Sequence, residues 1–537
     1  MNHHFPQRQR SSLLTRRIGS LLAILVAVSW AISFISFMKL HDLDINSLYE
    51  RAEEPHKSDS TANLAAQEEG IKSDDSSLSS KDVHIVFSTD CSGYQHWQSI
   101  ASYYSFRRAG HLGPVTRVVS GCKQNQEEAI RTEFGQIQQH SSNNQLRLHF
   151  TPSFALGGSH YKYSNKPGGL YHWMNHTTID ESVVALVDPD MMAMRPILPQ
   201  LGEGMTALPV TRNGYGDLVE YKDNHGRILL LRQKRLPPLP ARVSAGGSVE
   251  RDGGVSAGVG AGQHFGLGGL WASAGFKNAR PGLKDFNLTI VCGANSPCLN
   301  DASSDHAYTT RELADKNYAV GPVYIASTAD WMSLLPRWHD FTPKVHAQYP
   351  KLLAEMYAFT MSAADMQLKF ALSSSYMVSD PGTMSTTEGW LWIDEYAKHD
   401  QSSMSAVCDG ATSNSLPTET LRRLNNYGYG NYHASHIDSS INSNGGGALP
   451  TVLHYCQNYK LANHTFAKRK LPPDFFRCNG SPLNLDVKAL VQELDSIQND
   501  ASLSEKSKKK EMRTAFMLCH LIPLMNMALE DYKSVVC

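Results

Sequence analysis

Residues 183–190 constrain this chain most. Val183–Val187 is apolar throughout and runs straight into Asp188-Pro189-Asp190. A short run with no polar residue reads as a strand buried on both faces, as parallel sheets require. Parallel strands need crossover connections, and the neighbouring sequence supplies them. Val83–Ser88, Val115–Ser120 and Leu146–Phe150 are further β-rich runs, with Thr89-Asp90 closing the first. Trp97, Ile100, Ala101 and Tyr104 fall at i, i+3, i+4 and i+7, which predicts a helix over 95–108. Gly110 and Gly113-Pro114 then break it. Residues 124–138 and 168–179 read as further helices. Strands alternating with helices predict an α/β class with a mostly parallel sheet, and ligands on such sheets bind beyond the carboxyl ends of the strands.

Two of those ends carry acids, Asp90 and the Asp188/Asp190 pair. The plainest reading of Asp-Pro-Asp is an acidic turn in which proline fixes φ. At the end of a buried strand, however, alternate carboxylates can face one ion. Hard oxygen ligands suit Mg²⁺ or Mn²⁺, which would bridge a diphosphate and neutralise a leaving group.

The chain has 537 residues, 41% of them hydrophobic and 19% charged, enough for a substantial core. That length predicts two to four units, or one large domain with insertions. A net charge of −1 gives no basic field for nucleic acid, so no nucleic-acid partner is expected. Residues 1–17 carry Arg8, Arg10, Arg16 and Arg17 and no acid, and residues 18–38 carry no charge. Twenty-one helical residues reach about 31 Å, a bilayer core. Residues 1–17 are therefore expected to be a cytoplasmic tail and 18–38 a transmembrane signal anchor, with the body lumenal. A cleaved signal peptide is the rival reading, disfavoured by the length of the run. Residues 39–81, acid- and serine-rich, read as a disordered stem. Thr514–Leu529 is interrupted by His520 and Pro523 and reads as a packed helix.

All nine cysteines lie beyond residue 90, and none has CxxC spacing, so disulfides in an oxidising compartment are expected, with at least one thiol left over. Cys292 and Cys298 can close a small loop. Sequons stand at Asn175, Asn287, Asn463 and Asn479. Glycine- and serine-rich insertions are expected near 220–262 and 400–448. Residues 486–537 read as a helical C-terminal appendix, leaving 82–485 as the main body.

His84 through Cys91, Tyr94 through Ser99 and Gly113 through Arg117 together resemble the opening of the hydroxyproline O-arabinosyltransferase-like superfamily and the similar peptidyl-serine α-galactosyltransferases. Lys166-Pro167 with His172-Trp173, Asp188-Pro189-Asp190 followed by Arg195-Pro196, Tyr318 through Pro322, Glu355 through Phe359 and Val452 through Cys456 continue the resemblance in order. It covers roughly residues 82–485. The resemblance implies a GT-A-like, Rossmann-type glycosyltransferase, single-pass type II in the Golgi or ER membrane, with a UDP-sugar as donor. The acceptor it implies is hydroxyproline (arabinosyl transfer) on secretory glycoproteins, with serine α-galactosyl transfer or an inactive lumenal glycan- or peptide-binding paralogue as alternatives. Transfer would be metal-dependent, with Mn²⁺ or Mg²⁺, and retaining.

Asp188 and Asp190 are the expected metal ligands, with His454, at the end of a predicted strand 451–453, as the third; a histidine there also suits a core. Ser88, Asp90 and Arg117 are placed near the nucleotide, although Arg117 equally suits a structural ion pair. Lys166 is expected to meet the diphosphate, or to be a surface lysine. Glu355 is the candidate catalytic residue at the sugar or acceptor, or a solvated helix glutamate. A hydrolase would need two acids flanking a cleft, which acids one residue apart do not offer.

Overall fold

The computed structural model describes residues 80–139, 145–157, 161–197, 221–222, 228–230, 259–300, 308–373, 376–383, 387–390, 393–394, 407–408, 450–472 and 474–537. All belong to the second of the chain's two units, Ser76–Cys537. The tail, anchor and nearly all of the stem lie outside the described residues, as do most of both insertions.

The first half follows the predicted alternation: β1 (Val83–Thr89), α1 (Gly93–Arg108), β2 (Val115–Ser120), α2 (Gln124–Gln139), β3 (Leu146–Thr151), α3 (Asn165–His176) and β4 (Val183–Leu186). Helix α1 starts where Ser92 accepts a hydrogen bond from the Gln95 amide, an N-cap. Its predicted apolar face, Trp97, Ile100, Ala101 and Tyr104, is buried. Helix α3 starts three residues before the predicted 168, because Pro167 sits in its first turn, where a missing N–H is harmless. β5 (Met191–Ala193) follows the acidic pair. Two short strands, β6 (Tyr221–Lys222) and β7 (Ile228–Leu230), pair antiparallel.

The second half adds β8 (Val259–His264), α4 (Leu288–Cys292), α5 (Arg311–Asn317), β9 (Val320–Ser327), α6 (Thr328–Gln348), α7 (Ala354–Asp365) and β10 (Lys369–Ser373). The central sheet has seven strands in the order β10-β8-β9-β4-β1-β2-β3. β9 alone among them runs antiparallel to its neighbours β4 and β8. A second sheet, β11-β12-β5, contains β11 (Met377–Val378) and β12 (Val452–His454). A hairpin, β13 (Asn458–Leu461) and β14 (His464–Ala467), and helices α8 (Val487–Asn499) and α9 (Glu505–Val536) complete the fold.

Successive residues of the inner strands enter opposite cores, as the period of two dictates. Val183, Ala185 and Val187 join one apolar cluster with α1 and α9, while Val184 and Leu186 join the other with α3, α6 and α7. This double burial accounts for the absence of polar residues in β4.

Two expectations are corrected. Residues 259–262, read as the end of a glycine-rich insertion, belong to β8 inside the central sheet. A Cβ on Gly260 would lie 2.5 Å from the Phe370 ring, and one on Gly262 would lie 2.1 Å from Val320 Cγ2. Close packing, not looseness, explains these glycines. The C-terminal helices are no appendix either. α9 carries Leu518, Leu521 and Met525, each fully buried, into the same cluster as β1 and β4. It is the one helix among the described residues long and apolar enough to cross a membrane, and 89% of its apolar window is buried within the protein, as the packed-helix reading of 514–529 expects.

Four disulfides form, Cys91–Cys122, Cys292–Cys298, Cys408–Cys519 and Cys478–Cys537, leaving Cys456 free.

The buried histidines set an acid limit on stability. Burial pulls His111 down to about 3 and His520 down to about 4. His84 is also lowered by burial, although Glu181 opposes the shift. His111 and His520 are neutral in the fold, while the unfolded chain takes up their protons below about pH 6.5. Their contribution is complete above that pH and is lost as pH falls from 6.5 towards 4, by about 1.4 kcal/mol per unit for each group. Glu355, raised to about 7 by burial, opposes one of these two between pH 7 and 4.5. Thermal unfolding is expected to shift to lower temperature between pH 7 and 5, and His520→Phe is expected to flatten the slope. A melting temperature constant over that range contradicts this account.

Candidate active site

The site stands at the carboxyl end of β4. Val187 continues the strand by donating its amide to Val86 O, and the chain then turns, with Met191 N donating to Asp188 O at 3.2 Å. β12 pairs antiparallel with β5 so that His454 opposes Met191. Tyr455 N donates to Asp190 O at 3.1 Å and fixes the same register. Two segments more than 260 residues apart in sequence therefore place His454 Nε2 3.3 Å from Asp190 Oδ1. One ligand atom each from Asp188, Asp190 and His454 lie within 4.8 Å of one another.

Lysines surround these acids. Lys166, in the first turn of α3, donates to Asp188 Oδ1 at 2.8 Å and lies 3.7 Å from Glu355 Oε1. Lys468, just after β14, pairs with Asp190 Oδ2. Burial alone would raise the Asp190 carboxyl, but His454 and then Lys468 outweigh it and hold the group well below the usual carboxylate range. Burial likewise works against charge on Lys166, and Asp188 and Glu355 reverse it, so its pKa is raised.

Glu355 is no solvated helix glutamate. It is buried in the first turn of α7, where its amide donates to Tyr161 Oη at 2.7 Å and its carbonyl accepts from Trp338 Nε1 at 3.0 Å. Burial lifts its carboxyl to about 7, with Lys166 pulling it down and Asp188 pushing it up. Its Oε1 has no hydrogen-bond partner among the described residues.

The residues expected at the nucleotide divide. Asp90 ends β1, accepts from the Ser92 amide at 2.8 Å and pairs with Lys162 Nζ at 3.0 Å. Burial would raise its pKa, but the Ser92 bonds and Lys162 lower it. Ser88 is buried within β1. Arg117 is fully buried and is held by hydrogen bonds rather than by a carboxylate partner among the described residues. Its Nε donates to Thr89 Oγ1 at 2.9 Å, a guanidinium nitrogen meets His96 Nδ1 at 3.0 Å, and the guanidinium lies 5.1 Å from the Phe134 ring centre. It braces the ends of β1 and β2 from inside.

Sequence reasoning missed Lys162, Lys468 and Tyr161. Lys162 lies four residues before Lys166, a spacing that could have marked it. Lys468 lies in a Lys-Arg-Lys run that reads as solvated surface, and only the β13–β14 hairpin brings it to Asp190.

No family model matches the chain. The peptidyl serine alpha-galactosyltransferase of Arabidopsis thaliana is 33% identical over 132 residues, 24% of this chain and 15% of that protein. The enzyme of the same name from Chlamydomonas reinhardtii is 28% identical over 114 residues, 21% of this chain and 14% of its own length. The matches thus span less than a fifth of either relative. Among solved structures, the galactosyltransferase LgtC in complex with donor and acceptor sugar analogs aligns over 80% of this chain and 99% of its own, at 10% identity and a TM-score of 0.30. An active-site mutant of LgtC aligns over the same shares, also at 10% identity, with a TM-score of 0.29. The motifs and the two curated relatives agree that this chain resembles the glycosyltransferase superfamily of the peptidyl-serine α-galactosyltransferases.

Proposed function

We propose that this chain is a lumenal glycosyltransferase that moves a galactosyl group from a UDP-sugar to serine hydroxyls of secretory-pathway proteins. The observation that carries the reading is the convergence of Asp188, Asp190 and His454 at the carboxyl end of β4. The names of the curated relatives favour serine galactosylation over hydroxyproline arabinosylation, the first expectation from sequence. Residues 18–38 would anchor the chain as a single-pass type II protein of the Golgi or ER membrane. All four sequon asparagines are exposed, which supports a lumenal body.

Two carboxylates and one imidazole in a single cluster fit a divalent ion of the Mn²⁺ kind, with Mg²⁺ as the harder alternative. A bound ion would neutralise the charge of the departing diphosphate. The chain's own groups do the remainder. Lys166 holds Asp188 and offers a buried positive charge beside it, where a diphosphate is stabilised. Lys468 does the same beside Asp190. In the transfer, the bond from serine Oγ to the anomeric carbon forms, the bond from that carbon to the diphosphate oxygen breaks, and the serine proton departs. Glu355, whose Oε1 faces Lys166 at 3.7 Å without a hydrogen bond and whose carboxyl is raised to about 7, is suited to orient the serine hydroxyl or receive its proton there.

A donor screen tests the reading. The full chain is given a panel of UDP-sugars with Mn²⁺ and with serine- or hydroxyproline-containing peptides, and UDP release and peptide mass are followed. Divalent-ion-dependent galactosylation of serine is expected. A folded chain that neither turns over nor binds any UDP-sugar overturns the proposal, leaving a lumenal binding role. Glu355→Gln is expected to lower kcat about 10²–10⁴-fold, with little change in KM for the donor. If Glu355 takes a proton, activity rises with pH through about 7, and Glu355→Gln loses that limb.

A further inference from the structure

The order of the central sheet marks where a ligand crevice opens, and one disulfide stands on its wall. From β1 the chain moves outward to β2 and β3, and from β3 it returns past β1 to β4. Helices α1 and α2 of the outward path pack in one apolar cluster, and α3 of the return path packs in the other, on the opposite face of the sheet. The connections therefore diverge between β1 and β4, and such a switch point opens a crevice at the carboxyl ends of the two strands. Its β4 wall is Asp188-Pro189-Asp190. Its β1 wall is Asp90-Cys91-Ser92, the turn into α1.

The β1 wall is held by several non-covalent contacts and one covalent bond. Ser92 and Gln95, from its own turn, bond to Asp90. Arg117 reaches the Asp90 carbonyl at 3.4 Å. Lys162 pairs with the Asp90 carboxylate at 3.0 Å, but its side chain is 59% exposed, and exposed ion pairs hold a group weakly. The Cys91–Cys122 disulfide ties the residue after Asp90 to the turn that follows β2, with 5.4 Å between the Cα atoms. That second turn is itself fixed. Gly121 N donates to Thr151 O at 2.9 Å, at the end of β3. Gly121 has φ +76° and no room for a side chain, since a Cβ would stand 2.9 Å from Ser153 Cβ. We propose that the Cys91–Cys122 disulfide is a positioning element of the donor site, and that breaking it frees Asp90 and weakens donor binding. The inference rests on the transferase reading above.

The bond is open to reduction, because Cys91 and Cys122 are both only partly buried. A thiolate of a dithiol attacks one sulfur, the Cys91–Cys122 bond breaks, and a mixed disulfide forms. The second thiol then closes the reductant's own disulfide, and its two electrons and two protons end on the cysteine sulfurs. Cys408–Cys519 and Cys292–Cys298 each have a cysteine no more than 1% exposed. Cys478–Cys537 is exposed at both ends, so it is the control for reduction elsewhere.

The test is calorimetric titration of the full chain with UDP at saturating Mn²⁺, beside donor kinetics with a UDP-sugar. Cys91→Ser/Cys122→Ser is expected to bind UDP about tenfold more weakly than the parent, the scale of one hydrogen bond to a charged group. KM for the donor rises and kcat changes little, because this bond ties none of Asp188, Asp190 and His454. Cys478→Ser/Cys537→Ser is expected to match the parent. Dithiothreitol is expected to weaken UDP binding by the parent and by Cys478→Ser/Cys537→Ser, and to leave folded Cys91→Ser/Cys122→Ser unchanged. Where the last variant does not fold, the parent carries the test, with mass spectrometry reporting the state of Cys91 and Cys122. Parent-like UDP affinity in folded Cys91→Ser/Cys122→Ser, or in parent protein reduced at Cys91 and Cys122, overturns the inference alone. An oxidised parent that binds no UDP overturns the transferase reading, and the inference with it.

Discussion

Asp190→Ala is expected to lower the divalent-ion-dependent transfer rate by about 10²–10³-fold, the range set by loss of a preorganised electrostatic group. The effect is large because Asp190 does three things at once. Its carboxylate is one of three clustered groups that could hold an ion, it pairs with His454 and Lys468, and its backbone carbonyl accepts the Tyr455 amide. Alanine keeps the last of these and removes the first two. Mn²⁺ binding, read by calorimetry, should be lost together with activity. Lys468→Ala separates the roles, because it spares all three ligands and should leave Mn²⁺ affinity equal to or higher than that of the parent. An Asp190→Ala protein that retained full metal-dependent turnover would falsify the assignment of the centre.

Arg513→Met is expected to be the most destabilising single substitution in α9, by about 3–5 kcal/mol. Arg513 and Asp394 are only 4% and 3% exposed at the side chain, and Arg513 grips Asp394 through two bonds of 2.9 and 2.8 Å. The same guanidinium donates to Thr383 O and lies 5.4 Å from the Trp390 ring centre. Among the described residues, methionine leaves a buried carboxylate with Lys509, 3.6 Å away, as its remaining ion-pair partner. The double variant Arg513→Met/Asp394→Leu should recover most of the loss, because apolar groups of similar volume replace a buried ion pair at little net change. Denaturant unfolding of these three proteins and of Asp394→Leu gives the coupling. Equal midpoints for the parent and Arg513→Met contradict the account.

The first half of the sheet was legible because β1, β2 and β4 are buried on both faces and β3 at the edge keeps apolar residues at alternate positions. β1, β2, β3 and β4 each carry a run that few other structures tolerate, and the predicted bounds fall within a residue of the observed ones. The Asp188–Asp190 half of the acidic cluster at the end of β4 was legible, because its spacing is local. β8 was misread because its two glycines resemble a loop until Phe370 and Val320 are seen against them. Lys468 escaped because a lysine has no local signature; its role is created by a hairpin and a distant carboxylate. Glu355 and Arg117 show the same limit in opposite directions. Burial, which single residues do not announce, brings one to the site's reactive groups and takes the other into the interior.

The register of β12 against β5 has a consequence for how this chain can vary. Cys408 is held by its bond to Cys519, and Val452 by its place opposite Ala193. Residues 409–449 join two points that are each fixed by other partners. Insertions and deletions in that stretch can accumulate over evolutionary time without moving the imidazole of His454. A single residue added between Val452 and Tyr455 would instead slip the pairing by one and turn His454 to the other side of its sheet. Tolerance to length change is therefore expected to fall abruptly at the start of β12.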